Sequence, residues 1–130
     1  MVNILIFEDD PFTQQFYHFL FSKFGYNLLL TEDGDELFNI LENNNISIII
    51  MDINLKNTFF DGEKVDGVFL TKKIKKDIKY SNIPVILVTA YQKKPGDSNY
   101  IEESCADDYI VKPVTDYNEL INKVKTLIQK

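Results

Sequence analysis

The chain has 130 residues, 45% of them apolar, with 20 acidic side chains against 14 lysines, no arginine and a net charge of −6. That length suits one compact domain with a full core, and the lack of arginine argues against nucleic acid as a partner, because bidentate reading of phosphates and guanine edges is largely arginine chemistry. A single cysteine, Cys105, excludes an internal disulfide and fits a reducing cytoplasm, and no apolar run is long enough for a membrane span.

Asn3–Phe7 (NILIF) reads as a first strand that ends in three acids, Glu8, Asp9 and Asp10. Pro11 suits the first turn of a helix, and Asp10 is better placed as a helix N-terminal acid than as a metal ligand. Along this helix Phe12, Phe16, Phe19, Leu20 and Phe24 recur at helical spacing and are expected to face the core, leaving Tyr17 and Phe21 as surplus aromatics and His18 on the surface. Gly25 stops the helix, and Tyr26–Leu30 is the second strand. Asp33 can cap a second helix with Leu37, Ile40 and Leu41 as its apolar face, ended by Asn43, Asn44 and Asn45.

The run Ile48–Met51 is continuous, β-branched and too short for a globular helix, so it reads as a central strand buried on both faces. It stops on a carboxylate, Asp52. The following Asn54–Asp66 has two Asp-Gly pairs but no periodicity and is expected to be irregular. A third helix follows Gly67, with Val68, Thr71, Ile74 and Ile78 along one side and Lys72, Lys73, Lys75, Lys76 and Lys79 as a solvated face. Pro84–Val88 is the fourth strand, ending at Thr89. A loop with Pro95 and Gly96 leads to a short fourth helix near Asn99–Ser104, anchored by Ile101. Tyr109–Val111 is the fifth strand, followed by Lys112 and Pro113. Asp116 and Glu119 resemble a capping box before a last helix with Leu120, Val124, Leu127 and Ile128 on one face. Five strands alternating with five helices predict a parallel sheet covered on both sides.

If the strands are parallel, Glu8/Asp9, Asp52, Thr89 and Lys112 meet at one sheet edge, where open α/β proteins bind ligands. Three acids at one point repel one another unless a cation sits among them, and carboxylate oxygens with room for water suit Mg²⁺. A carboxylate beside Mg²⁺, a lysine and a hydroxyl is equipped for phosphoryl transfer, with aspartate as a competent nucleophile.

The segments ILIFEDDP, IIIMDIN, VILVTAY and CADDYIVKP, in this order and at these separations, resemble the receiver domain of two-component response regulators from Asn3 to about Ile128. The resemblance implies a (βα)5 flavodoxin-like receiver fold over residues 1–130, as a stand-alone module without an output domain. It implies Asp52 as the phosphoacceptor, and Mg²⁺ held by Glu8, Asp9, Asp52 and the backbone carbonyl of Asn54. Lys112 and Thr89 would bind the phosphoryl group, Tyr109 would be the aromatic switch, and a cis peptide would precede Pro113. A sensor histidine kinase or phosphotransfer protein would be the donor and an unknown protein the downstream partner, in the cytoplasm, without nucleic acid or membrane. Such a chain is not an enzyme beyond Mg²⁺-dependent self-phosphorylation from small donors and self-dephosphorylation. Two other readings share parts of the pattern. A haloacid-dehalogenase-type phosphatase needs a second acid two residues after its aspartate, where this chain has Asn54. A flavodoxin-like electron carrier needs a hydroxyl- and glycine-rich loop where it has EDDP.

Four positions depart from the family pattern. Lys56 stands at a frequent proline, Cys105 at a usual glycine and Phe69 at a usual polar residue, and the segment after Asp52 is about seven residues longer than normal connections require. Phe59 and Phe60 in that segment either meet Phe69 in a satellite cluster that orders the loop and offers a partner surface, or belong to a mobile insertion and loosely cover the helix.

Overall fold

A computed structural model describes residues 2–90, 100–112 and 114–129, without the side chains of Tyr100 and Ile101. The expected cis bond before Pro113, the loop around Pro95 and Gly96, and the anchoring role of Ile101 lie outside the described residues. Strands β1 (Asn3–Phe7), β2 (Asn27–Thr31) and β3 (Ile48–Asp52) open the chain. Next come a two-stranded hairpin, β4 (Phe59–Phe60) and β5 (Glu63–Lys64), and then strands β6 (Val85–Thr89) and β7 (Asp108–Val111). The main sheet is five-stranded and parallel, in the order β2-β1-β3-β6-β7.

Helices α1 (Pro11–Ser22), α2 (Leu37–Asn43), α3 (Gly67–Lys76), α4 (Tyr100–Ser104) and α5 (Tyr117–Ile128) connect the strands, with a 3₁₀ turn at Gly34–Glu36 leading into α2. Side chains alternate across a strand, so the sheet feeds two cores. Leu5, Phe7, Ile49, Met51, Val85 and Leu87 face one side, with Leu37, Leu41, Leu70 and Ile74 of α2 and α3. Ile4, Ile6, Ile48, Ile50, Ile86 and Val88 face the other, with Tyr17, Leu20, Leu120 and Val124 of α1 and α5. Burial on both faces explains the unbroken apolar runs of β1, β3 and β6.

The caps at Asp10 and Asp116 follow the sequence. Asp33 caps the 3₁₀ turn instead of α2, accepting from the Asp35 N–H at 2.9 Å, and Asp66 is a cap not foreseen from sequence. Asp10 accepts from the Thr13 N–H at 3.0 Å, Asp66 from the Phe69 N–H at 2.9 Å, and Asp116 from the Glu119 N–H at 3.1 Å. The apolar face of α1 is not the expected one. Phe12 and Phe19 are 81% and 65% exposed and Phe24 is also exposed, whereas Tyr17 and Phe21 are fully buried. At 100° per residue the helix carries two apolar stripes, and Tyr17, Leu20 and Phe21 share the one turned to the sheet. Periodicity counts apolar residues but does not say which stripe meets a strand. Ile78 is likewise solvent-exposed, because α3 ends at Lys76, and Leu70 takes a place in the core.

Lys75 is no part of a solvated face. Its side chain is 10% exposed, and its ammonium donates to the carbonyls of Ser81 (3.2 Å) and Ile83 (2.8 Å) and to Asp107 Oδ2 (2.7 Å). At the end of α4, Cys105 has φ 64, the left-handed conformation that glycine adopts without cost. Cys105→Gly should therefore stabilise the fold by about 1 kcal/mol, read as a rise of a few degrees in thermal midpoint. An unchanged or lower midpoint would show that the cysteine side chain compensates for its backbone.

The segment expected to be irregular folds as the β4–β5 hairpin. Phe59 pairs with Lys64 and Phe60 with Glu63 across a two-residue Asp61-Gly62 turn, both residues having positive φ (52 and 82). That is the Asp-Gly turn whose twist matches paired strands. The satellite cluster is present with a different membership: Phe60 meets Phe69 (ring centroids 5.8 Å apart) and Phe38 (6.4 Å), and Phe38 meets Tyr80. Phe59 is exposed, outside these ring contacts, although its backbone carbonyl lies 2.6 Å from where a β-carbon on Gly34 would be.

Candidate functional site

The chain leaves β1 for β2 on one side of the sheet and returns to β3 on the other, which opens a crevice between the carboxyl ends of β1 and β3. Glu8 follows β1 and Asp52 closes β3. Carboxylate oxygens of Glu8, Asp9 and Asp52 lie within 4.8 Å of one another. Asp10 borders the same cleft but caps the helix instead of joining this group, and its carboxylate, hydrogen-bonded by the Thr13 hydroxyl and N–H, is held below its ordinary pKa.

Each carboxylate is positioned by a specific donor. Asp52, 3% exposed, accepts from the Asn54 N–H at 2.9 Å through Oδ1 and from the Lys112 ammonium at 2.8 Å through Oδ2. Lys112 also donates to Glu8 at 3.2 Å, so one cation ties the ends of β1, β3 and β7. Burial opposes the charge on Lys112, but Asp52 and Glu8 outweigh it and raise its pKa. Glu8 accepts from the Asp10 N–H at 3.2 Å, and its carbonyl accepts from the Gln14 amide at 2.6 Å. Thr89 is buried at the end of β6, and its carbonyl accepts from the Lys112 N–H at 2.7 Å. Tyr109, paired with Leu87 in register, is exposed, with the Lys123 ammonium 5.8 Å from its ring centroid.

Glu8 is pushed up from its ordinary 4.5 to about 6, by burial first and by the charge of Asp52 second. A carboxylate raised in this way binds a proton more readily folded than unfolded, so its ionisation costs stability above pH 6 and costs nothing below 4.5. In metal-free protein Glu8→Gln should therefore be the more stable form by on the order of 2 kcal/mol at pH 7.5. The gap should close as the pH falls through 6 towards 4.5, as followed by urea unfolding. A gap that does not vary with pH would mean that Glu8 ionises normally.

Three contacts here were not foreseen from sequence. The Lys56 N–H donates to Asp9 Oδ2 at 2.7 Å, joining the long segment to the acids. Lys64 of β5 lines the same cleft of about 820 Å³ as Glu8, Asp52 and Lys112. Gly67 opens α3 directly against β3, where an added β-carbon would sit 2.1 Å from the Asp52 carbonyl oxygen. Only the last had a signal in the sequence: glycine in the first turn of a helix, where it weakens the helix unless close packing demands it.

A family model of the response regulator receiver domain matches residues 4–125. The chain is 31% identical over 113 residues to the polar-differentiation response regulator DivK of Brucella ovis, covering 87% of this chain and 85% of that protein. It is 33% identical to the TorCAD operon transcriptional regulatory protein TorR of Escherichia coli over 97% of its own length, and spans about half (50%) of that longer regulator. Among solved structures, the receiver domain of the sensor histidine kinase PA1611 from Pseudomonas aeruginosa superimposes with a TM-score of 0.81. It is 26% identical over 99% of this chain and 98% of that one, and carries a magnesium ion coordinated in its active-site cleft.

Proposed function

Because this chain belongs to the response regulator receiver family and is a phosphoacceptor signalling module of two-component systems, we propose that Asp52 is its phosphoacceptor. The observation that carries the assignment is the double engagement of Asp52, by Lys112 on one oxygen and by the Asn54 N–H on the other, beside two further carboxylates. The donor is a sensor histidine kinase or a phosphotransfer protein. No support comes from the matches for the phosphatase alternative.

The donor set fits a hard divalent cation: three carboxylates converge, and the magnesium-bearing PA1611 receiver shares the fold. Glu8, Asp9, Asp52 and the Asn54 carbonyl would hold Mg²⁺, which when bound supplies neutralising charge to the phosphoryl oxygens. The Asp52 carboxylate attacks the donor phosphorus. The bond from phosphorus to the donor nitrogen or acyl oxygen breaks, and the leaving group takes its electron pair. Lys112, already at 2.8 Å from Asp52, keeps its ammonium on the transferred group, and the Thr89 hydroxyl turns to it. Tyr109, exposed beside α5, answers that movement, so the surface of α4, β7 and α5 changes its preference for a downstream protein. Beyond this self-modification and its hydrolysis the chain needs no enzymatic activity of its own. Cys105 is a free thiol, in keeping with a cytoplasmic setting, and no helix among the described residues is long and apolar enough to cross a membrane.

Incubation with Mg²⁺ and acetyl phosphate should add one phosphoryl group, and peptide mapping by mass spectrometry should place it on Asp52. Its appearance on Asp9 or Glu8 would overturn the assignment.

A further inference from the structure

We propose that Lys64, delivered by the β4–β5 hairpin to the lining of the Asp52 cleft, determines how well the site captures small phosphodonors: its positive charge recruits the dianionic phosphoryl group of free acyl phosphates. The inference rests on Asp52 being the acceptor and concerns a residue outside the reacting groups. Charge carries the argument. Among the described residues, the cleft is lined by the acids Glu8, Asp9, Asp10 and Asp52 and by the lysines Lys112, Lys56 and Lys64. Two of those three cations come from the long segment after Asp52. Without them, among the described residues, one lysine, itself already bonded to Asp52 and Glu8, would be left to meet an incoming dianion beside the Mg²⁺ that Glu8, Asp9 and Asp52 would hold.

The hairpin holds Lys64 in place instead of letting it drift in solvent. Thr58, fully buried, donates its hydroxyl to the Glu32 carbonyl at 2.8 Å, and the Asp61 N–H donates to Asp35 Oδ1 at 2.7 Å. Phe60 packs its ring against Phe69 and Phe38 on the far side of the same strand pair. At the near end, the Lys56 N–H fixes the segment to Asp9. A two-residue turn, an aromatic anchor and three hydrogen bonds thus set an exposed lysine at the rim of a reactive cleft. Such a fixed charge raises the local concentration of an oppositely charged small molecule, and salt screens it because it is exposed.

The test measures initial rates of Mg²⁺-dependent phosphorylation of the whole chain by acetyl phosphate, in low and high salt, for wild type, Lys64→Gln, Lys64→Glu and Lys64→Arg. At low salt the apparent second-order rate should fall about threefold in Lys64→Gln and about tenfold in Lys64→Glu, remain near wild type in Lys64→Arg, and converge at high salt. Phosphoramidate, less negatively charged at neutral pH, should distinguish the variants less. Asp35→Ala, which frees the hairpin turn but keeps the Lys64 charge, should show a rate between those of wild type and Lys64→Gln. Equal rates for wild type and Lys64→Glu at low salt would overturn the proposal, as would losses that salt does not diminish. If the wild-type protein takes up no phosphoryl group at all, it is the Asp52 assignment that fails, and the two failures are distinct.

Discussion

Asp52→Asn should take up no phosphoryl group from any donor, and Lys112→Ala should keep the acceptor yet use it at least about a hundredfold more slowly. The two losses have different origins. Asparagine still accepts from the Asn54 N–H, but it removes the nucleophile and one of the charges that raise Glu8. Removing Lys112 leaves Glu8 and Asp52, 1% and 3% exposed, facing each other without their shared cation. Breaking a buried pair from one side costs about 3–5 kcal/mol, so metal-free Lys112→Ala should also be markedly less stable. Mg²⁺ should restore part of that stability but not the rate, since the lysine's place at the phosphoryl group is still empty. Phosphorylation assays and denaturation with and without Mg²⁺ separate these effects. Recovery of the full rate in Mg²⁺ would show that Lys112 is only a counter-ion.

Gly67→Ala should be the most damaging methyl group that can be added near the site. The new carbon would lie 2.1 Å from the Asp52 carbonyl oxygen and 3.0 Å from the Ile53 α-carbon, both backbone atoms that cannot rotate away. Either α3 lifts from the sheet, exposing Val68 and Leu70, or the end of β3 moves and takes the Asp52 carboxylate with it. The first route costs packing and the second costs alignment with Lys112. A loss of about 3 kcal/mol is expected, with phosphorylation slowed even where the variant is fully folded. Wild-type stability together with wild-type phosphorylation would mean that the helix start yields at no cost. Gly62→Ala, in open space but at φ 82, provides a comparison in which backbone strain acts without a clash.

Residues whose job is set by their neighbours along the chain were legible in the sequence. The β-branched runs placed β3 and β6, and Asp10 and Asp116 sit where a carboxylate can reach an N–H three residues on. The grouping of Glu8, Asp9, Asp52 and Lys112 followed from parallel strands, because every such strand delivers its last residue to the same edge. What stayed hidden depends on partners distant in sequence. Tyr17 and Phe12 are both aromatic residues on one helix, and only the lie of α1 on the sheet makes one core and the other surface. Lys75 resembles its neighbours Lys72 and Lys76 until Asp107, 32 residues away, is brought alongside. The hairpin was written in its Asp61-Gly62 turn, but strands of two residues leave no periodicity to detect.

The Lys75 amine has a mechanical consequence. It binds α3, the turn before β6 and the approach to β7 through one atom, and Asp107 also accepts from the Val85 N–H at 2.8 Å. These bonds sit at the start of β6 and β7, whereas Thr89 and Lys112 lie at their finish. The two strands are therefore hinged like levers at one end and loaded at the other. A charge added beside Lys112 should swing the far tips about this fulcrum and not slide one strand past the next. Amide hydrogens of Ile83 and Val85 should keep their exchange protection through such a swing, while those of Thr89 and Lys112 register it.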